Sequence, residues 1–209
     1  MITKTILQAL LVLGAVYAFL NLYAFMISDK LIFVPQSPSY RRLPGEFKLV
    51  SGDGEKINAV YLEYPEAEYT ILFSHGNAED LGNVVPFMQQ FHDRGYSVLM
   101  YDYRGYGTSE GYPSTVHAKQ DATAAYNWLV HEKNVDPGTI ISLGRSLGGG
   151  VAVWLAAHHE VAGVITEISF ASAFRVKTRW KMLPWDKFDS LKSIRKINCP
   201  LLVIHGTDD

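Results

Sequence analysis

Residues 139–159 read TIISLGRSLGGGVAVWLAAHH. The apolar run at 140–143 fits a buried strand, and the stretch from Leu147 to His159 fits a helix. Between them lies Gly144-Arg145-Ser146-Leu147-Gly148, the pattern G-x-S-x-G in the setting it needs, a strand turning sharply into a helix. Such a turn strains the serine backbone and exposes its hydroxyl above the sheet. Small neighbours are required because strand and helix approach closely. Glycines in the first turn of a helix cost about 1 kcal/mol each relative to alanine, so Gly148, Gly149 and Gly150 point to packing that excludes side chains. The blander reading is a glycine-rich helix entry that binds phosphate or only packs. The strand–turn–helix context favours Ser146 as a nucleophile.

The rest of the chain repeats the same rhythm. Strands are expected at 46–51, 57–64, 70–74, 97–101, 139–143, 162–168 and 201–204. Helices are expected at 80–94, 115–131 and 147–159. The first two strands form a hairpin around Gly52-Asp53-Gly54. The remainder alternate with helices, which implies an α/β protein with a mostly parallel sheet and helices on both faces. Residues 170–197, with Trp180, Pro184 and Trp185, break the rhythm and are expected over the carboxyl edge of the sheet, where ligands of such sheets bind.

Acyl transfer at a serine needs donors for the developing oxyanion. One is the backbone N–H of Leu147, directly after the serine. The second is expected from the loop after the third strand, Ser74-His75-Gly76-Asn77-Ala78, with Asn77 as the donor. His75 has a structural role available in holding that loop. The acid is expected after the strand 201–204, where Asp208 and Asp209 compete. A second G-x-S-x-G, Gly107-Thr108-Ser109-Glu110-Gly111, follows no strand directly and leads into Tyr112-Pro113, so Ser109 reads as a loop residue.

Composition narrows the alternatives. The 209 residues are 48% hydrophobic and 19% charged, ample for a core and unlike a disordered chain. Lys plus Arg number 19 against 21 Asp plus Glu, a net charge of −2, which disfavours a dedicated nucleic-acid binder. The single cysteine, Cys199, excludes an internal disulfide framework and a cysteine-rich metal site. The serine chemistry itself calls for no metal and no organic cofactor.

Residues 5–28 carry no charge. As a helix they would span about 36 Å, against a hydrocarbon thickness of about 30 Å. The stretch exceeds a signal-peptide core and ends in Phe25-Met26-Ile27 rather than in small residues, so an uncleaved single-pass transmembrane anchor is favoured over a cleaved signal or a buried core helix. Residues 29–45, with Pro35, Pro38 and Pro44, read as a linker, and 46–209 as the main domain. Basic residues near the anchor place that domain in the cytoplasm, whereas the signal-like start favours export, so the side stays open.

Together, the HGN loop, the YDYRGYGTSEG loop, the GRSLGG elbow and the terminal PLLVIHGTDD resemble the α/β-hydrolase superfamily. The anchor and LIFVP lead-in resemble its small membrane-anchored, abhydrolase-domain-containing members. The resemblance covers about residues 30–209. It implies a serine hydrolase of esters, thioesters or amides, a lipid-like acyl substrate near the bilayer, and Asp209 rather than Asp208 as the acid. Asp102 and Arg104 match a loop that is usually structural. The family order is Ser, acid, His. All seven histidines (His75, His92, His117, His131, His158, His159 and His205) precede Asp209. The expectation is therefore a domain whose closing strand, triad histidine and last helix lie beyond the given chain. A non-catalytic, vestigial module, inactive as given, is the alternative.

Overall fold

The structure, a computed structural model, describes residues 2–176 and 184–206, except the side chains of residues 2, 3, 175 and 176. Seven strands form one sheet in the order β1-β2-β4-β3-β5-β6-β7. They are β1 (Glu46–Val50), β2 (Lys56–Leu62), β3 (Thr70–Ser74), β4 (Ser97–Tyr101), β5 (Ile140–Arg145), β6 (Gly163–Glu167) and β7 (Leu201–Ile204). The hairpin β1–β2 and the pair β2–β4 are antiparallel, and the other pairs are parallel. The helices are α1 (Ile2–Ile32), α2 (Leu81–His92), α3 (Thr115–Asn127), α4 (Leu147–Ala156) and the short α5 (Ser190–Ile194).

The two-residue period of a strand sorts the core into two layers. Ile71 and Phe73 of β3, with Val98 and Met100 of β4, point towards α2 and pack with Leu81, Val84 and Met88. The intervening Leu72, Leu99 and Tyr101 point to the other face, against α3 and α4. Both strands are buried throughout, as a sheet covered on both faces requires. The expected helices on both faces are present.

The helix ends follow local chemistry. Asp80 caps α2, accepting from the Asn83 N–H at 3.3 Å while Asn83 Oδ1 accepts from the Asp80 N–H at 3.2 Å. Ser114 caps α3 through the His117 N–H at 3.1 Å. The helix expected over 115–131 is regular only to Asn127 and finishes in a wider π turn over Trp128–Glu132. Trp128 there packs on Phe47 and Tyr61, with ring centroids 4.6 and 5.3 Å apart.

Helix α1 runs past residue 28 to Ile32, since Asp29 and Lys30 end the apolar run but do not break a helix. Its most apolar 18-residue stretch has a mean hydropathy of 2.1, and its apolar side chains are exposed all round, so it is long and apolar enough to cross a membrane. The stretch expected as a linker forms no helix or strand after Ile32 but is stitched to the sheet. Phe33 and Tyr40 are buried, and the Ser39 N–H and hydroxyl both donate to the Asp80 carboxylate.

At Gly148 the start of α4 packs too closely to admit a side chain. A Cβ on Gly148 would collide with the Ser74 and His75 carbonyls, and one on Gly144 with the Gly148 backbone. Backbone cannot yield as a side chain can. Gly148→Ala is expected to cost about 2 kcal/mol or more. Thermal unfolding of the purified protein in detergent checks this, and a melting temperature within about 1 °C of the native one would contradict it.

Candidate active site

Parallel register brings the strand ends together. Ser74 lies opposite Gly144, Arg145 opposite Glu167, and Glu167 opposite Ile204. The turns after β3, β5, β6 and β7 thus share one edge of the sheet. Ser146 sits between β5 and α4 with φ +50° and ψ −114°, a conformation a non-glycine residue rarely adopts. Main-chain bonds hold it there. Its N–H donates to the Glu167 carbonyl at 2.8 Å, and its carbonyl accepts from the Gly149 N–H at 3.0 Å and the Ser169 hydroxyl at 3.1 Å. The Ser146 side chain caps nothing and is partly exposed at the edge. Leu147 opens α4, where the first N–H groups have no acceptor within the helix.

The loop after β3 faces this turn. Gly76 N–H donates to Glu79 Oε2 at 2.8 Å. Arg145 then joins three strand ends, with Nη1 on Glu79 Oε1 at 2.9 Å and Nε on Glu167 Oε2 at 2.7 Å. Its guanidinium lies 4.5 Å from the centre of the Phe87 ring. Among the described residues the Asn77 N–H has no protein acceptor. The Asn77 side chain points elsewhere, bonding Ile32, Val34 and Tyr106.

Behind the loop lies a buried polar cluster. His75 is fully enclosed, its Nδ1 donating to the Gly76 carbonyl at 2.7 Å and its ring 4.5 Å from that of Tyr103. Burial pushes its pKa down, so the imidazole is neutral. Its Nε2 lies 3.5 Å from Asp102 Oδ1, too far for a hydrogen bond, and without a charge on the ring this contact is not an ion pair. Asp102 accepts from the Tyr40 hydroxyl at 2.5 Å and the Leu81 N–H at 2.8 Å. Burial nevertheless pushes its pKa up to about 7. Arg104, almost wholly buried, spans Asp121 at 2.7 Å, Asp53 at 2.5 Å and Ser51 Oγ at 2.6 Å, locking the loop after β4 to α3 and the hairpin. Ser109 has the structural role expected of it, accepting from the Asn58 N–H at 2.8 Å and donating to the Asp102 carbonyl at 3.2 Å.

Four of the remaining histidines have bonding partners of their own. His92 contacts the Glu63 carbonyl, His117 the Tyr112 carbonyl, His158 the Trp154 carbonyl and His159 the Thr123 hydroxyl. His131 lies in the π turn after α3, and His205 is exposed just after β7. Asp208 and Asp209 lie outside the described residues. No group of His, Cys, Asp and Glu suited to a metal occurs among the described residues. Two features were not anticipated. One is the Arg145 clamp, whose only sequence trace is charge at Glu79 and Glu167. The other is Ile168, a β-branched residue at φ +51° directly after β6, which no sequence pattern announces.

The Asp102 carboxyl gives a pH signature. Unfolded, it would titrate near 3.8; folded, it keeps its proton to about 7. The folded state therefore binds more protons across that window, and this group withdraws stability as pH rises through it. Asp102→Asn is expected to gain stability relative to the native chain between about pH 4 and about pH 7. Melting curves of both proteins across the window check the sign, and a pH-independent difference would refute it.

Comparison with known proteins follows the geometry. Residues 65–193 match the family described as serine aminopeptidase, S33. The α/β-hydrolase domain-containing protein aho-3 of Caenorhabditis elegans is 34% identical over 88% of this chain and 64% of its own length. Protein 17C of the same description, from Mus musculus, is 42% identical over 69% of this chain and 46% of its own. The chain thus spans about half to two thirds of these relatives. Among solved structures, an α/β hydrolase of Vibrio vulnificus (TM-score 0.64, 23% identity) covers 77% of this chain, which in turn covers 64% of it. An esterase of Pyrococcus furiosus (TM-score 0.64, 19% identity) covers 81%, and 76% of its own chain is matched. The strained serine between β5 and α4, the sheet order and these matches agree that the chain belongs to the α/β-hydrolase family.

Proposed function

We propose that this chain is a membrane-anchored serine hydrolase of esters, thioesters or amides. The observation that carries the reading is Ser146 at φ +50°, held by Glu167 and Gly149 at the edge where four strand ends meet. Its Oγ attacks the acyl carbonyl, and the oxyanion that forms is held by the N–H groups of Leu147 and Asn77. Collapse of the tetrahedral species expels an alcohol, thiol or amine, which takes a proton as it leaves, and water then releases the acid from the serine.

Asp209 orients the imidazole that accepts the Ser146 proton. That imidazole belongs to sequence beyond Asp209. The family order supports this placement, as do the greater length of the relatives and the bonds that hold five of the histidines elsewhere. The neutral His75 serves as a strut for the β3 loop rather than as the base. Helix α1 crosses the bilayer and holds the site at its surface, which favours an amphiphilic acyl substrate.

A fluorophosphonate probe added to membranes containing the protein as its own gene encodes it is expected to label the native chain. Ser146→Ala is expected to abolish labelling and to lower ester turnover by about 10⁶-fold. Undiminished labelling of the Ser146→Ala variant, or none of the native chain, would refute the assignment.

A further inference from the structure

The apolar helix does not end free in solvent. Its last turn is received by the loop after β3. Asn77 Nδ2 donates to the Ile32 carbonyl at 2.7 Å, while Asn77 Oδ1 accepts from the Val34 N–H at 3.0 Å and from the Tyr106 hydroxyl at 2.5 Å. Carbonyls in the last turn of a helix lack a donor within the helix, and Ile32 finds its donor here. Backbone carbonyls only accept and backbone N–H groups only donate, so these two partners fix which end of the amide faces which.

Other contacts hold the same helix end. Asp29 Oδ1 accepts from the N–H of Thr115 at 3.1 Å and from its hydroxyl at 2.7 Å, at the start of α3. Lys187 Nζ reaches Asp29 Oδ2 at 3.0 Å, and the Phe33 ring lies 6.2 Å from that of Phe188. None of these touches the loop after β3. Among the described residues, Asn77 alone makes a hydrogen bond between the helix end and that loop, and it does so at the residue whose own N–H is given the oxyanion in the proposed function.

We propose that α1 is a working part of the acyl-transfer site rather than a tether. The Asn77 side chain is a positioning group through which the end of the membrane helix sets the location of the Asn77 N–H. The inference rests on the oxyanion role given above to that N–H. Oxyanion donors act only when held within about 0.5 Å of their productive position. Loss of one outright costs about 10²–10³-fold in rate. An Asn77 that keeps its N–H but loses its grip on the helix sits between these limits.

The test uses the whole chain in membranes, with the rate of fluorophosphonate labelling at Ser146 as the readout. The phosphoryl oxygen of the probe occupies the oxyanion site as the bond to Ser146 forms. Asn77→Ala keeps the N–H and removes the link. Val34→Pro weakens the link from the helix side, deleting the donor to Asn77 Oδ1 while the Ile32 carbonyl keeps its bond to Nδ2 and the loop sequence is unchanged. Each is expected to lower the limiting labelling rate about 10- to 100-fold while the half-saturating probe concentration stays within about twofold. The double variant is expected to fall no more than about twofold below the slower single one, since both act through one connection. Should Asn77→Ala fail to fold, Val34→Pro decides alone. Native labelling rates in the variants, or a loss confined to probe binding, would overturn the inference and leave the hydrolase reading intact. A native chain that does not label at Ser146 would overturn both.

Discussion

The nucleophile turn depends on a close approach of three backbones. Gly144 at the end of β5, Gly148 in the first turn of α4 and the Ser74–His75 carbonyls at the end of β3 leave no room for a Cβ. Ser146 has no freedom to relax between them. Strain of this kind, of order 1–3 kcal/mol, persists only where surrounding structure over-determines it. Here the surroundings are the buried strands of the sheet centre, the Glu167 carbonyl and the Arg145 clamp across Glu79 and Glu167. The exposed serine follows from packing, because a looser junction would let its backbone return to an ordinary conformation and turn its hydroxyl away.

The second constraint is the polar cluster behind the β3 loop. A neutral His75, an Asp102 that resists ionisation and the hydroxyls of Tyr40 and Tyr103 fill a volume that apolar side chains could also have filled. What apolar residues could not do is hold main chain. Asp102 takes the N–H of Leu81 at the start of α2, His75 takes the Gly76 carbonyl, and Tyr103 donates to the His75 carbonyl at 3.0 Å. The cluster therefore fixes the path of a loop that has no secondary structure of its own. The raised pKa of Asp102 is the cost of removing a carboxyl group from water for that purpose.

How much of this was legible in the sequence depended on the range of the interaction. The elbow was readable because its signal is local: an apolar run, G-x-S-x-G and three glycines in consecutive positions. Strand and helix positions were readable for the same reason, their boundaries falling within a few residues of the period-based reading. What the Asn77 side chain does was not visible. Its place after β3 indicated a backbone donor, but nothing nearby in sequence reveals that its side chain bonds residues 43 and 45 positions away. The segment after α1 was half legible for a similar reason. Its prolines signal an absence of regular structure, and that is correct. They carry no information that Ser39 would lock onto the α2 cap or Tyr40 onto Asp102.

These long-range bonds change what the segment from Asp29 to Tyr40 is. A flexible linker would let helix and sheet move independently, leaving the orientation of the catalytic edge undefined. Instead the segment touches the start of α3 through Asp29, the β3 loop through the backbone of Ile32 and Val34, the α2 cap through Ser39 and the β4 loop through Tyr40. Four of the elements that border the carboxyl edge are thus tied to one short stretch of chain leaving the apolar helix. Once that helix is placed in a bilayer, the direction in which the edge faces follows from these contacts.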